Sequence, residues 1–207
     1  MLPADLGWAP GIGDPTVGGW VTVAAYFATA WLCLRAARCV AARNRRLGLQ
    51  RRSLVVLWTV MVVVFVALGI NKQLDLQSLV TAVGRLMARQ EGWYEQRRLV
   101  QALFVAAIGC AGLAFLGWLL IQARDHGHAP RIALVGAVVL GCFVMIRALS
   151  FYVVDELIGF RVFDLRMNWI LELGGISIVA AGAWLQSRAE TETRGTAEAV
   201  PPPVGTR

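Results

Sequence analysis

From Leu54 to Ile70 the chain carries no charged residue, and Thr59 is its only polar side chain. An α-helix needs about 20 mostly apolar residues to cross the hydrocarbon core of a bilayer, and this run is close to that minimum. Four further runs, at 19–40, 99–123, 132–154 and 168–186, have similar length and character. Backbone facing lipid must satisfy its polar groups internally, so apolar runs of this length are restricted to helices. The fold class expected is therefore all-α: a polytopic membrane helical bundle of about five transmembrane helices, with spans near 19–40, 53–70, 99–123, 132–154 and 168–186. Composition agrees, since 57% of the chain is hydrophobic and only 16% is charged, with the charges collected between the apolar runs.

The segment after the second run has a different periodicity. Leu76, Leu79, Val80, Val83, Leu86 and Met87 share one helical arc, and Gln77, Ser78, Thr81, Arg85 and Arg89 lie opposite. An amphipathic helix over 72–91 is expected on the outer membrane face, ending near Gly92. Residues 1–186 form one helical membrane domain. The tail 187–207 is polar and Pro-rich near its end, and is expected to be a disordered cytoplasmic extension. The N-terminal stretch has Asp5 and Asp14 in place of a basic region, so the first span is expected to be kept as an anchor.

Arginine sets the orientation. Arg43, Arg45, Arg46, Arg51 and Arg52 follow the first span, with Arg35 and Arg38 in its last turns, and the positive-inside rule makes that loop cytoplasmic. Alternation then places the N-terminus outside and the C-terminus inside. The basic balance of the chain, +7 overall, is thus a matter of topology, and no nucleic-acid partner is expected. Trp20, Trp93 and Trp169 fall at the outer boundary and Trp58, Trp118 and Trp184 near the inner one, where the amphipathic indole is favoured. Cys33, Cys39, Cys110 and Cys142 lie apart within the spans and read as small packing residues. Stripes of small residues, Ala102, Ala106, Cys110 and Ala114 on the third run and Ala133, Ala137 and Gly141 on the fourth, predict close helix contacts.

Most of the unusual polarity belongs to the outer ends of the spans. Asn71, Lys72, Asp75 and Gln77 leave the second span. Tyr94, Glu95 and Arg98 approach the third, with Gln101 one turn further in. Arg147 lies inside the fourth apolar run, followed by Tyr152 and Asp155. Arg166, Asn168, Trp169 and Glu172 open the fifth. Arg147 and Glu172 carry the sharpest signal, because an unpaired ion in the hydrocarbon region costs several kcal/mol. They are expected to face the bundle interior and to interact. These residues suit a pocket for an anionic group, since guanidinium binds carboxylate or phosphate in a bidentate way. A purely structural reading remains open beside it, in which the same charges lock the helices and Asn71 and Asp75 satisfy backbone at a corner. Both histidines, His126 and His128, fall in the opposite loop, so histidine-based catalysis or haem ligation at this cluster is not expected. Neither a cofactor nor a bound metal is expected.

The stretches NKQLDLQ (71–77), GWYEQRR (92–98) with Gln101, and RMNWILELGG (166–175) resemble an uncharacterised group of small bacterial integral membrane proteins, over most of residues 55–185. Some similar sequences carry the label isopropylmalate isomerase. Such isomerases are soluble, and their large subunit binds an iron–sulfur cluster through cysteines, whereas the cysteines here stand alone. The resemblance implies a bacterial inner-membrane location and no catalytic residues. Three readings stay open: a non-enzymatic subunit or binding protein, whose partners are membrane lipids or other membrane subunits; a membrane-embedded enzyme using outer carboxylates as acid and base; and a small transport component.

Overall fold

The computed structural model describes residues 15–49, 52–74, 97–124, 127–150, 161–162 and 165–199. Within these, the side chains at 97–106, 108, 122–124, 145–150, 161–162, 165–168, 194 and 196–199 are not described. Five helices account for nearly all of it: α1 (Val17–Leu47), α2 (Arg52–Leu74), α3 (Arg97–Arg124), α4 (His128–Ser150) and α5 (Met167–Ala199). Just before α5 a two-stranded antiparallel ladder, β1 (Arg161–Val162) and β2 (Leu165–Arg166), pairs Arg161 with Arg166 and Val162 with Leu165. α1 packs on α2 and on α5, α5 packs on α4, and α3 lies mainly against α4.

Local sequence explains where α1 begins and ends. Thr16 is extended, and its Oγ1 accepts a 3.1 Å hydrogen bond from Gly19 N, satisfying one of the donors a helix start leaves open. At the other end Gly48 takes the left-handed conformation (φ 62°), and Leu49 N donates to Asn44 O at 3.0 Å.

Helix pairing follows from one recurrent spacing. On α1 the buried residues Thr22, Tyr26, Thr29, Cys33, Ala36 and Val40 alternate steps of four and three. On α5, Glu172, Ile176, Val179, Ala183, Gln186 and Glu190 do the same. Leu54, Trp58, Met61 and Phe65 continue the pattern on α2. A 4–3 seam keeps facing a neighbouring helix when two helices cross at about 20°. The outward faces are apolar instead: Trp31 is 59% exposed, Val63 63% and Leu113 70%. Buried Thr, Gln and Glu beneath exposed Val, Leu and Trp is the arrangement that lipid favours over water.

Three helices, α1, α2 and α5, are long and apolar enough to cross a membrane, while α3 and α4 show shorter apolar stretches among the described residues (Gly109–Ile121 and His128–Val144). The apolar helices mark a membrane-embedded protein whose described residues are helical apart from the short ladder.

α4 and α5 approach almost backbone to backbone. A Cβ added at Gly136 would lie 2.7 Å from Val179 N, and one at Gly182 would lie 2.7 Å from Ala133 N. Gly175 faces Leu140 N at 3.0 Å in the same sense. The expected stripe of Ala133, Ala137 and Gly141 is therefore divided. Ala133 does serve the α5 contact, but Gly141 meets the Leu116 side chain of α3. The stripe on α3 is not a packing face where its side chains are described, since Cys110 and Ala114 are exposed.

Other boundaries also shift. α2 continues to Leu74, so Asn71 and Lys72 belong to its last turns and not to the start of an amphipathic helix; the rest of 72–91 lies outside the described residues. α5 runs past Gln186 to Ala199, so residues 187–199 of the expected disordered tail are helical. The reason is that the seam does not stop at 186: Ser187 and Glu190 remain buried. Trp58 is fully buried between helices, so its indole packs inside the bundle.

Gly136→Leu is expected to destabilise the bundle by about 1–3 kcal/mol through overpacking. Gly117→Ala, whose Cβ meets nothing within 4 Å, should leave stability unchanged or raise it slightly. Thermal midpoints of the two variants in one detergent provide the comparison.

Candidate functional site

At the end of the bundle where α1 starts and α2 finishes, Glu172 is 3% exposed and both its oxygens are engaged. Tyr26 on α1 donates its hydroxyl to Oε1 at 3.1 Å, and Lys72 on α2 donates from Nζ to Oε2 at 2.9 Å. The lysine side chain is itself only 11% exposed. One carboxylate therefore joins three helices. Tyr26 is held by Phe65, with ring centroids 5.9 Å apart. Gly69 makes room for it, since a Cβ there would come within 3.2 Å of the Tyr26 Cβ. Trp169, one turn before Glu172, lays its indole over Gly18, where an added Cβ would overlap the ring.

Of the residues expected here from sequence, Lys72 and Glu172 meet, Trp169 packs beside them, and Asn71 is exposed. Asp75, Gln77, Tyr94, Glu95, Tyr152 and Asp155 lie outside the described residues. For Arg98, Gln101, Arg147, Arg166 and Asn168 only the backbone is described. The backbone is nonetheless informative. The antiparallel register that sets Leu140 against Gly175 puts Arg147 opposite Asn168, about one turn beyond Glu172. The expected pairing of Arg147 with Glu172 lies outside the described side chains. Sequence reasoning missed Tyr26, whose signal was available: it shares a 4–3 seam with Thr22 and Thr29. It also missed Gln73, whose amide nitrogen and oxygen are buried with no hydrogen-bond partner among the described residues.

A second cluster occupies the opposite, arginine-rich end. Glu190, the next polar residue on the α5 seam after Gln186, accepts from Arg43 Nη1 at 3.2 and 3.3 Å and from Gln186 Nε2 at 3.0 Å. Arg43 is the next step on the α1 seam after Val40. Between them, the first turn of α4 and the start of α2 lies a cavity of about 400 Å³, within the range of ligand pockets. Polar contributors to its wall include Arg43, Asn44, His128 and Glu190, and Val40, Leu54, Pro130 and Leu185 supply apolar surface. Arg43 and Asn44 each also carry an atom, Nε and Oδ1, that is buried beneath the wall without a hydrogen-bond partner among the described residues. His128, expected in a solvated loop, is the first residue of α4. No group of three potential metal ligands occurs among the described residues. No protein-family model, curated protein or solved structure matches the chain.

Removing one member of a buried ion pair strands the other, at a cost of about 3–5 kcal/mol. Glu172→Gln and Lys72→Met are each expected to destabilise by that order. The double variant should recover much of the loss, and Tyr26→Phe should cost about 1–2 kcal/mol. Unfolding free energies of the four variants, taken as a cycle, measure the coupling; strictly additive losses would mean that the pair contributes nothing.

Proposed function

We propose that this chain is a non-enzymatic, multi-pass protein of a bacterial inner membrane, acting as a subunit or binding protein. Its N-terminus is periplasmic, its C-terminus is cytoplasmic, and α1 to α5 all serve as spans. Its ligand at the periplasmic interface is an anionic group: a lipid headgroup, a small anion or an acidic loop of a partner subunit. The observation that carries this reading is the engagement of both Glu172 oxygens by donors on two other helices. A carboxylate acting as general base needs a free lone pair aimed at a substrate proton, and Glu172 is occupied in holding α1, α2 and α5 together.

With Lys72 neutralised by Glu172, positive charge for an anion at that end is supplied by arginines that include Arg98, Arg147 and Arg166. Their backbones stand in the first turn of α3, near the end of α4 and at the end of β2, just before α5. Arginine is the residue type that suits recognition of phosphate or carboxylate. The orientation rests on the concentration of arginine between α1 and α2, and the bacterial location on the resemblance to small bacterial membrane proteins.

Native mass spectrometry of the chain, extracted in mild detergent from cells expressing it, tests the proposal. A stoichiometric partner or one bound anionic molecule is expected, with either lost in an Arg98→Ala/Arg166→Ala variant that still folds. Substrate turnover abolished by Glu95→Gln or Asp155→Asn would overturn it in favour of an enzyme.

A further inference from the structure

The outward side of α1 carries an inference that extends the subunit reading to a second surface and holds whether or not the periplasmic end binds an anion. We propose that this face docks a membrane-spanning helix of a different protein, one that places an aspartate or glutamate side chain opposite Arg35.

Depth is the first observation. Arg35 is exposed, yet it stands midway between Tyr26 and Arg43, the α1 members of the two buried glutamate clusters. At 1.5 Å per residue it lies about 12–13 Å along the helix from either. The antiparallel register that sets Gly69 against Tyr26 brings Arg35 level with Val60, inside the uncharged run Leu54–Ile70. An arginine facing lipid lowers its cost by snorkelling to a headgroup. Arg35 instead folds back over Trp31, with its guanidinium carbon 5.9 Å from the ring centroid. Among the described residues no carboxylate pairs with it.

The chain itself offers no anion at this depth. Of its 13 acidic residues only Glu172 falls within an apolar run, and Glu172 is held by Lys72 and Tyr26. A second copy in the same orientation would present another Arg35. Lipid phosphates lie at the headgroups, whereas a partner helix can carry a carboxylate at any height. The face also suits a helix. Exposed Val21, Ala24, Ala28, Trp31 and Arg35 advance in the 4–3 steps of the buried seams, and the two alanines let a second backbone approach. Tryptophan and arginine are the residues most enriched among the anchors of protein interfaces.

The test uses the full chain in phosphatidylcholine vesicles with a dye-labelled leucine–alanine peptide of membrane-spanning length that carries one central glutamate. Leucine and lysine versions of the peptide are the controls. Association is read by energy transfer from a donor dye on the C-terminus of the chain. The glutamate peptide is expected to bind about tenfold more tightly than the leucine peptide. Arg35→Leu should erase that preference with an unchanged thermal midpoint, and Arg35→Glu should transfer it to the lysine peptide. Arg38→Leu, nearer the arginine-rich end, should keep it. So should the Arg98→Ala/Arg166→Ala variant, which separates this face from the periplasmic site. Ala28→Phe should weaken binding of the glutamate peptide by blocking the face. In cells, a photoreactive residue in place of Ala24 should cross-link a protein that has an aspartate or glutamate within a span, and Arg35→Leu should remove that product. Equal binding of the glutamate and leucine peptides, a preference that survives Arg35→Leu, or cross-links only to a second copy or to lipid, overturns the proposal.

Discussion

Glu172 lies on a helix face that otherwise carries Ile176, Val179 and Ala183, and an ion in such surroundings is tolerable only where donors surround it. Tyr26 and Lys72 meet that need from α1 and α2 at once. Their positions are fixed in turn by the seams to which they belong. Tyr26 stands one step from Thr22 and Thr29, and Lys72 follows the apolar run that ends at Ile70. The rotation and height of three helices are thus tied to one carboxylate. Lipid supplies little drive for apolar helices to associate, so polar contacts and close packing decide which faces meet. The α4–α5 contact solves the same problem by the other route: Gly136, Gly175 and Gly182 bring two backbones together with no charge involved.

Much of the helical content was legible in the sequence because apolar length is a local property. The runs at 53–70 and 99–123 correspond closely to α2 and α3, and helix ends moved outward wherever polar residues continued a helix beyond its apolar part, by about one turn at α2, two at α1 and more than three at α5. Tertiary partners were harder to read. Glu172 announced itself as a charge among apolar residues, but its choice of Lys72 and Tyr26 depends on the order in which helices neighbour one another, which hydropathy does not encode. Residues 187–199 misled for a related reason: Ser, Thr and Glu lower hydropathy, while Ser187 and Glu190 keep the 4–3 spacing of the seam above them. Reading spacing independently of hydropathy would have extended α5 and drawn attention to Arg43.

The two ends of the bundle differ in character although each is built on a buried glutamate of α5. At the Lys72 end the carboxylate is saturated and the surroundings are close, with Trp169 over Gly18 and Gly69 against Tyr26. At the Arg43 end the carboxylate is also covered, but a cavity with unmatched polar atoms remains beside it. Unmatched buried polar atoms occur at both ends, on Gln73 beside Lys72 and on Arg43 and Asn44 beside the cavity. The second glutamate is a residue that charge and hydropathy alone leave inconspicuous.

Glu172 and Glu190 lie on the same stripe of one continuous helix, five turns apart. At 1.5 Å per residue their separation along the axis is about 27 Å, close to the ~30 Å thickness of a hydrocarbon core. Each is tied to a cation on a neighbouring helix, so α5 behaves as a caliper whose jaws are two ion pairs. A helix pinned in this way has little freedom to slide or turn against α1 and α2. The spacing of the bundle's two charged ends is thus set by the sequence distance between two glutamates.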